Sequence, residues 1–144
     1  MLYQFLSTAI EIVGANKGNI QFLEKTGVSL RLAAHIGFSD DFLSLFQVVK
    51  PGDATPCNLA LQRRCRVVVK DLLNDPLLSS NAAVFKRFEL RAAISSPLYD
   101  DRDDLFGIST LYFTGSYTPD EAKLLRLDTY FEQASPVLAR KRSD

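Results

Sequence analysis

Near the start of the chain apolar residues recur at spacings of four, three and four. Leu2, Leu6, Ala9 and Val13 share one face of a helix over residues 2–13, and Phe5 and Ile10 widen it. Gly14 ends that helix and opens a turn that runs to Gly18. The period then drops to two. Residues 19–24 and 29–36 read as strands joined by a hairpin at Lys25-Thr26-Gly27. In the second strand Leu30, Leu32 and Ala34 face one way, and Arg31, Ala33 and His35 the other.

Shorter elements follow. Ser39 is placed to cap a helix carrying Asp40, Phe42, Leu45 and Phe46. After a turn at 51–53, Thr55 and Pro56 open a further helix that carries Cys57 and ends at Arg64. Threonine is the cap there, and proline takes the first helical position, where its missing N–H costs nothing. Residues 66–70 read as a short buried strand, 71–80 as a loop broken by Pro76, and 81–90 as helical. Two long strands at 92–99 and 105–114 are joined by an acidic tip at 100–104. Thr118-Pro119-Asp120-Glu121 has the form of a capping box, with Thr118 as cap. The helix it opens, over 118–141, aligns Leu124, Leu127, Phe131, Ala134 and Leu138. Pro136 cannot donate to the Glu132 carbonyl, so a kink or restart is expected near Ser135.

Composition narrows the function. A length of 144 residues suits one domain spanning 1–144. Apolar residues make up 47% and charged residues 24%, which is globular rather than disordered. The 17 basic and 17 acidic residues cancel. The chain therefore lacks the positive field that draws proteins to nucleic acid and the basic surplus of a membrane-surface helix. No apolar run reaches the ~18 residues of a membrane span. The first basic residue is Lys17, so no leader pattern is present, and a cytoplasmic location with reduced thiols is expected. Cys57 and Cys65 lie eight apart, the spacing of neither a redox pair nor a zinc site. His35 is the only imidazole, so no metal site is expected.

The order of short motifs is similar to that of the GAF domain, a sensory module of bacterial signalling proteins. The motifs are Gly18-Asn19-Ile20-Gln21, residues 34–38 (AHIGF), Gly52 followed by Cys57, and residues 67–71 (VVVKD). Further on come Asp75-Pro76, Arg91 before Ser96-Pro97-Leu98, and Phe106-Gly107-Ile108 with Thr110. The resemblance runs from Leu2 to Arg140 and is nearest to GAF domains attached to histidine kinases. It implies an α+β, profilin- or PAS-like fold built on a central antiparallel sheet of five to six strands. The terminal helices, 1–13 and 118–141, would share one face. Short helices and a loop would enclose a small-molecule pocket on the other. The apolar Val67, Val69, Ile94 and Leu98 independently suit a sheet covered on both sides.

The resemblance also implies a non-enzymatic sensory role, relayed through the terminal helices to a kinase or other output domain. The NKFDE residues of cyclic-nucleotide-binding GAF domains are missing. Cys57 is followed by Asn58 and Cys65 by Arg66, where bilin-binding members carry a Cys-His pair. Members that reduce free methionine sulfoxide use more cysteines than these two, and a strand histidine is a poor haem ligand. The cofactor, if one exists, stays unnamed, with bilin, haem and cyclic nucleotide disfavoured.

Phe42, Phe46, Phe85 and Phe88 are candidates to wall an apolar pocket, or are plain core. Asp71, Arg91, Ser95, Thr110 and Tyr112 are the polar candidates for orienting a ligand, although Arg91 also suits a surface ion pair. Cys57 sits where helix N–H groups favour a thiolate, so its pKa is expected below ~8.5; the alternative is a small buried hydrophobe. The stripes on the terminal helices (Leu2, Leu6, Ala9 and Val13; Leu124, Leu127, Phe131, Ala134 and Leu138) are expected to form a parallel homodimer, or else to be buried within one chain. Two further readings stay open: a scaffold domain with a filled interior, and a redox sensor built on Cys57.

Overall fold

The computed structural model describes residues 1–142. Helix α1 (Leu2–Val13) stops where Gly14 takes a left-handed φ of 72°. Strands β1 (Lys17–Leu23) and β2 (Leu30–Ile36) form the hairpin, with Gly27 also left-handed. Helix α2 (Asp40–Phe46), strand β3 (Val48–Val49), helix α3 (Pro56–Arg63) and strand β4 (Val67–Val69) follow. A 3-10 helix (Pro76–Asn81) runs into α4 (Ala82–Arg87). Strands β5 (Ala92–Tyr99) and β6 (Leu105–Phe113) and the long α5 (Glu121–Arg142) complete the chain.

The six strands lie in the order β3-β2-β1-β6-β5-β4, each pair antiparallel. Both faces are covered. Helices α1 and α5 pack on one face through Leu6, Ala9, Leu127, Phe131 and Leu138, which meet Ile20, Ile94 and Leu111. Helices α2, α3 and α4 cover the other through Phe42, Cys57, Leu61 and Phe85, which meet Ala93, Ile108 and Tyr112. This is the α+β arrangement expected from the motif order.

Several local expectations are corrected. The facing of β2 is not uniform. Ala34 pairs with Ile20 and Leu32 with Gln21, so Ala33 is an extra, bulged residue. A bulge inverts side-chain parity, and Leu30 accordingly lies under the short helices while Ala34 packs toward α1 and α5. Strand β3, two residues long, is too short to carry a period. The segment read as loop contains the 3-10 helix, capped by Asp75 on the Leu77 N–H.

Helix α5 begins at Glu121 rather than at 118. Its cap is Asp120, which accepts from the Lys123 N–H at 3.2 Å, and Thr118 stands outside the helix. A carboxylate at that point also meets the positive end of the helix dipole, which favours it over a threonine. The helix does not restart at Pro136 but continues to Arg142. Phe131 before the proline and Leu138 after it are held in the same core, which spans the lost hydrogen bond.

The stripe assigned to a dimer interface points inward. Leu6, Ala9, Val13, Leu124, Leu127, Phe131 and Leu138 are buried in the chain's own core, with Leu2 and Ala134 packed partly against it. The reason is the sheet face beneath, whose Ile20, Ile94, Leu98 and Leu111 have no other cover. Tyr3 and Leu125, 66% and 67% exposed, with Val137 less so, are the large apolar side chains the two helices leave outside. No helix among the described residues is long and apolar enough to cross a membrane.

Candidate functional site

The sheet face beneath α2, α3 and α4 gathers most of the site residues read from the sequence. Helix α2 starts at Ser39, whose hydroxyl accepts from the Phe42 N–H, and this fixes Phe42 over the sheet. Phe42 stacks on Phe38 at 4.5 Å and meets Phe46 at 4.8 Å and Phe88 edge-on at 5.2 Å. Phe46 in turn stacks against Phe85, and Tyr112 stands edge-on to both Phe38 and Phe42. The fold therefore brings Phe42, Phe46, Phe85 and Phe88 together, with Phe38 as an additional member. Its signal was its place just before a helix cap, where an apolar residue packs onto the first turns. Phe42 and Phe85 are 2% and 1% exposed, so these side chains fill the space between them. Phe46 and Phe88 are only partly buried and form its outer rim.

Beneath the aromatics the sheet is polar. Cross-strand pairing puts Ser95 opposite Thr110 and Thr110 opposite Asn19. Directly opposed residues share a face, so the three form a row under the short helices. Ser95 Oγ and Thr110 Oγ1 lie 2.6 Å apart, both fully buried. Gln21, two residues along β1 from Asn19, faces the same way. Asn19 Oδ1 and Gln21 Oε1 are buried and have no hydrogen-bond partner among the described residues. Buried acceptors are nearly always satisfied, and leaving one bare costs about 1–3 kcal/mol.

These two amides were missed as site residues. In a strand they resemble the solvent-facing half of a period-two pattern. The available signal was the apolar Val67, Val69, Ile94 and Leu98, which imply cover on both faces and so burial of the polar half as well. Lys17 at the rim reaches the Phe88 carbonyl at 3.5 Å and lies over the Phe38 ring.

Cys57 enters from α3, opened by Thr55 and Pro56 as expected. Its thiol is not the activated one expected from that position. Burial pushes the Cys57 pKa up to about 11, and the hydrogen bonds of Thr55, the helix start and the nearby Gln21 offset only part of this. The thiol is thus neutral at physiological pH and behaves as a small apolar group with a weak donor. Burial, with Cys57 adjacent, likewise holds the Tyr112 phenol well above its ordinary range.

Asp71 and Arg91 sit apart from the cluster and engage each other. Arg91 Nε and one of its terminal nitrogens donate to the two carboxylate oxygens of Asp71 at 3.0 and 3.2 Å. Asp71 also accepts from Leu73 N–H and from Asn74. Together these bonds clip the loop after β4 to the start of β5.

The family model of the GAF domain matches residues 1–135. No curated protein matches the chain. Solved structures share its fold at low identity. A GAF domain/HD domain protein from Geobacter sulfurreducens is 14% identical with a TM-score of 0.76, covering 95% of this chain and 89% of its own. The GAF domain of a phosphoenolpyruvate-protein phosphotransferase from Acinetobacter is 17% identical with a TM-score of 0.74, covering 99% and 82%. The free methionine-R-sulfoxide reductase of Neisseria meningitidis, solved with its substrate, is 19% identical with a TM-score of 0.68, covering 96% and 78%.

Proposed function

The chain belongs to the GAF domain family, and from that premise we propose that it is a non-enzymatic sensory domain that takes a small planar molecule beneath α2 and α4. The ligand class follows from the donors the site lacks. Asn19 Oδ1 and Gln21 Oε1 accept hydrogen bonds and receive none. A ring carrying N–H or O–H groups would satisfy them while stacking on Phe42 and Tyr112. Entry requires Phe46 and Phe88 to swing outward, and their partial exposure makes that the cheapest movement. An occupied site then favours a displaced arrangement of α2 and α4. The sheet carries the change to α1 and α5, and through them to an output domain, as a population shift between two states.

The observation that carries this reading is the pair of orphaned amide oxygens. Thermal unfolding and calorimetry against a panel of N–H-bearing heterocycles test it. A ligand at 100 times its Kd, binding the native state only, adds about 2.7 kcal/mol. Gln21→Leu and Asn19→Leu are expected to abolish that gain. The tight stacking of Phe42 and Phe85 favours a second reading, a filled scaffold domain. On that reading the panel gives no shift and Gln21→Leu simply stabilises the protein.

A further inference from the structure

On the opposite face of the sheet from the aromatic cluster, α5 stands off from the β4–β5 edge. The space between them is an open groove of about 680 Å³. Its wall includes Ser96 from β5 and Ser135 from α5. They are 4% and 2% exposed, and neither hydroxyl has a hydrogen-bond partner among the described residues. The helix backbone is interrupted beside them. Pro136, also in the wall, has no N–H, so the Glu132 carbonyl is without its helical partner.

The charge around these acceptors is unbalanced. Five carboxylates and two guanidiniums line the groove. One terminal nitrogen of Arg66 donates to both carboxylate oxygens of Asp128, and Asp101 meets Arg140 at 3.8 Å. Asp100 accepts from the N–H groups of Arg102 and Asp104, which holds the hairpin tip. Glu132, Asp103 and Arg64 have no ion-pair partner among the described residues, which leaves two free carboxylates against one free guanidinium. No group of side chains there is arranged to hold a metal ion, again among the described residues.

We propose that this groove is a binding site for a small organic cation, a primary amine or diamine. An ammonium group is a pure donor with three N–H bonds, and the bare Ser96 and Ser135 hydroxyl oxygens in the wall are acceptors without a donor. The Glu132 and Asp103 carboxylates supply the opposite charge at its margin. The site is separate from the one under α2 and α4, since the whole sheet lies between them.

Titration of the full chain with putrescine, followed by calorimetry and by amide NMR shifts at Ser96 and Ser135, tests the proposal. Succinate and magnesium chloride serve as comparators. Saturable putrescine binding is expected, with no binding of succinate and no competition by magnesium beyond its ionic strength. Ser96→Ala and Ser135→Ala are expected to weaken putrescine binding by about tenfold each. Neither hydroxyl has a partner to lose, so both variants should keep their thermal stability. Glu132→Gln should weaken binding and flatten its salt dependence. Three results would overturn the proposal: no saturable signal at millimolar putrescine, folded serine variants that bind as the parent does, or displacement by magnesium at equal ionic strength.

Discussion

The Cys57 sulfur lies 3.2 Å from Thr55 Oγ1, the same atom that accepts from the Asn58 N–H to cap α3. Two consequences of one helix start therefore oppose each other. The N–H groups and the dipole at this end stabilise a thiolate, while the helix drives the sulfur into the core. Burial prevails, and the pKa rises to about 11 from its ordinary 9.0.

Thiol reactivity follows from that balance. Cys65 is exposed and Cys57 buried, so alkylation at pH 8 with mass-spectrometric readout should label Cys65 quickly and Cys57 only on unfolding. A raised pKa also has a signed effect on stability. Below pH 9 the folded and unfolded thiols are both protonated. Between 9 and about 11 the unfolded chain loses its proton while the folded chain keeps it. Stability falls with pH across that window. Tyr112 has the same sign, so the comparison is made between the parent chain and Cys57→Ala. The variant should show the shallower decline in urea unfolding from pH 8 to 10.5.

The Asp71–Arg91 clip gives the opposite dependence. The Arg91 guanidinium holds the Asp71 carboxyl well below its usual 3.8. The folded chain therefore stays ionised where the unfolded one takes up a proton. Its contribution is present above pH 3.8 and is lost as pH falls through the lower folded value. Arg91→Gln should remove part of the acid sensitivity below pH 4, read as a smaller drop in melting temperature between pH 5 and 3. An unchanged drop would mean that the pair is too well solvated to matter.

Helix ends and strand lengths were legible because their signals are local. Gly14, the Ser39 cap and the Thr55-Pro56 start act within one turn of the chain, and each stands where its chemistry required. The choice of Asp120 over Thr118 was harder, since both are good caps within two residues of each other. Long-range properties were not legible. The bulge at Ala33 depends on how β2 meets β1. The Cys57 pKa depends on burial in a core assembled from elements far apart in the chain. Asn19 and Gln21 read as a solvent face until the short helices are laid over them. Similarly, the α1 and α5 stripes are equally apolar whether they bury in a partner or on their own sheet.

That last ambiguity separates cleanly by mutation. Leu127 is fully buried against the sheet, while Leu125, on the same helix, is 67% exposed. Leu127→Ala should cost about 2–5 kcal/mol in urea unfolding, as for other buried leucines. Leu125→Glu should stay within about 0.5 kcal/mol of the parent. If α5 also meets a second copy, the light-scattering mass should respond to Leu125→Glu and not to Leu127→Ala. A change in mass from Leu127→Ala at unaltered stability would contradict its place in the core.

Gly107 provides the sharpest steric test, because on β6 it pairs with Phe22 of β1 and leaves no room for a side chain. A Cβ built on it would meet the Gln21 carbonyl oxygen at 2.6 Å, a backbone atom that cannot rotate away. Its conformation is not the constraint; the space is. Gly107→Ala must push the two strands apart at the centre of the sheet, at a cost of about 1–3 kcal/mol typical of overpacking. Gly115, which has nothing within 4 Å, is the control, and Gly115→Ala should leave the melting temperature within a degree or two. Displacing Gln21 also shifts its orphaned side-chain oxygen. Hydrogen exchange at the β1–β6 amides should therefore accelerate in Gly107→Ala, and any ligand held by Gln21 should bind more weakly than to the Gly115 variant. Equal exchange in the two variants would mean that the strands absorb the methyl without parting.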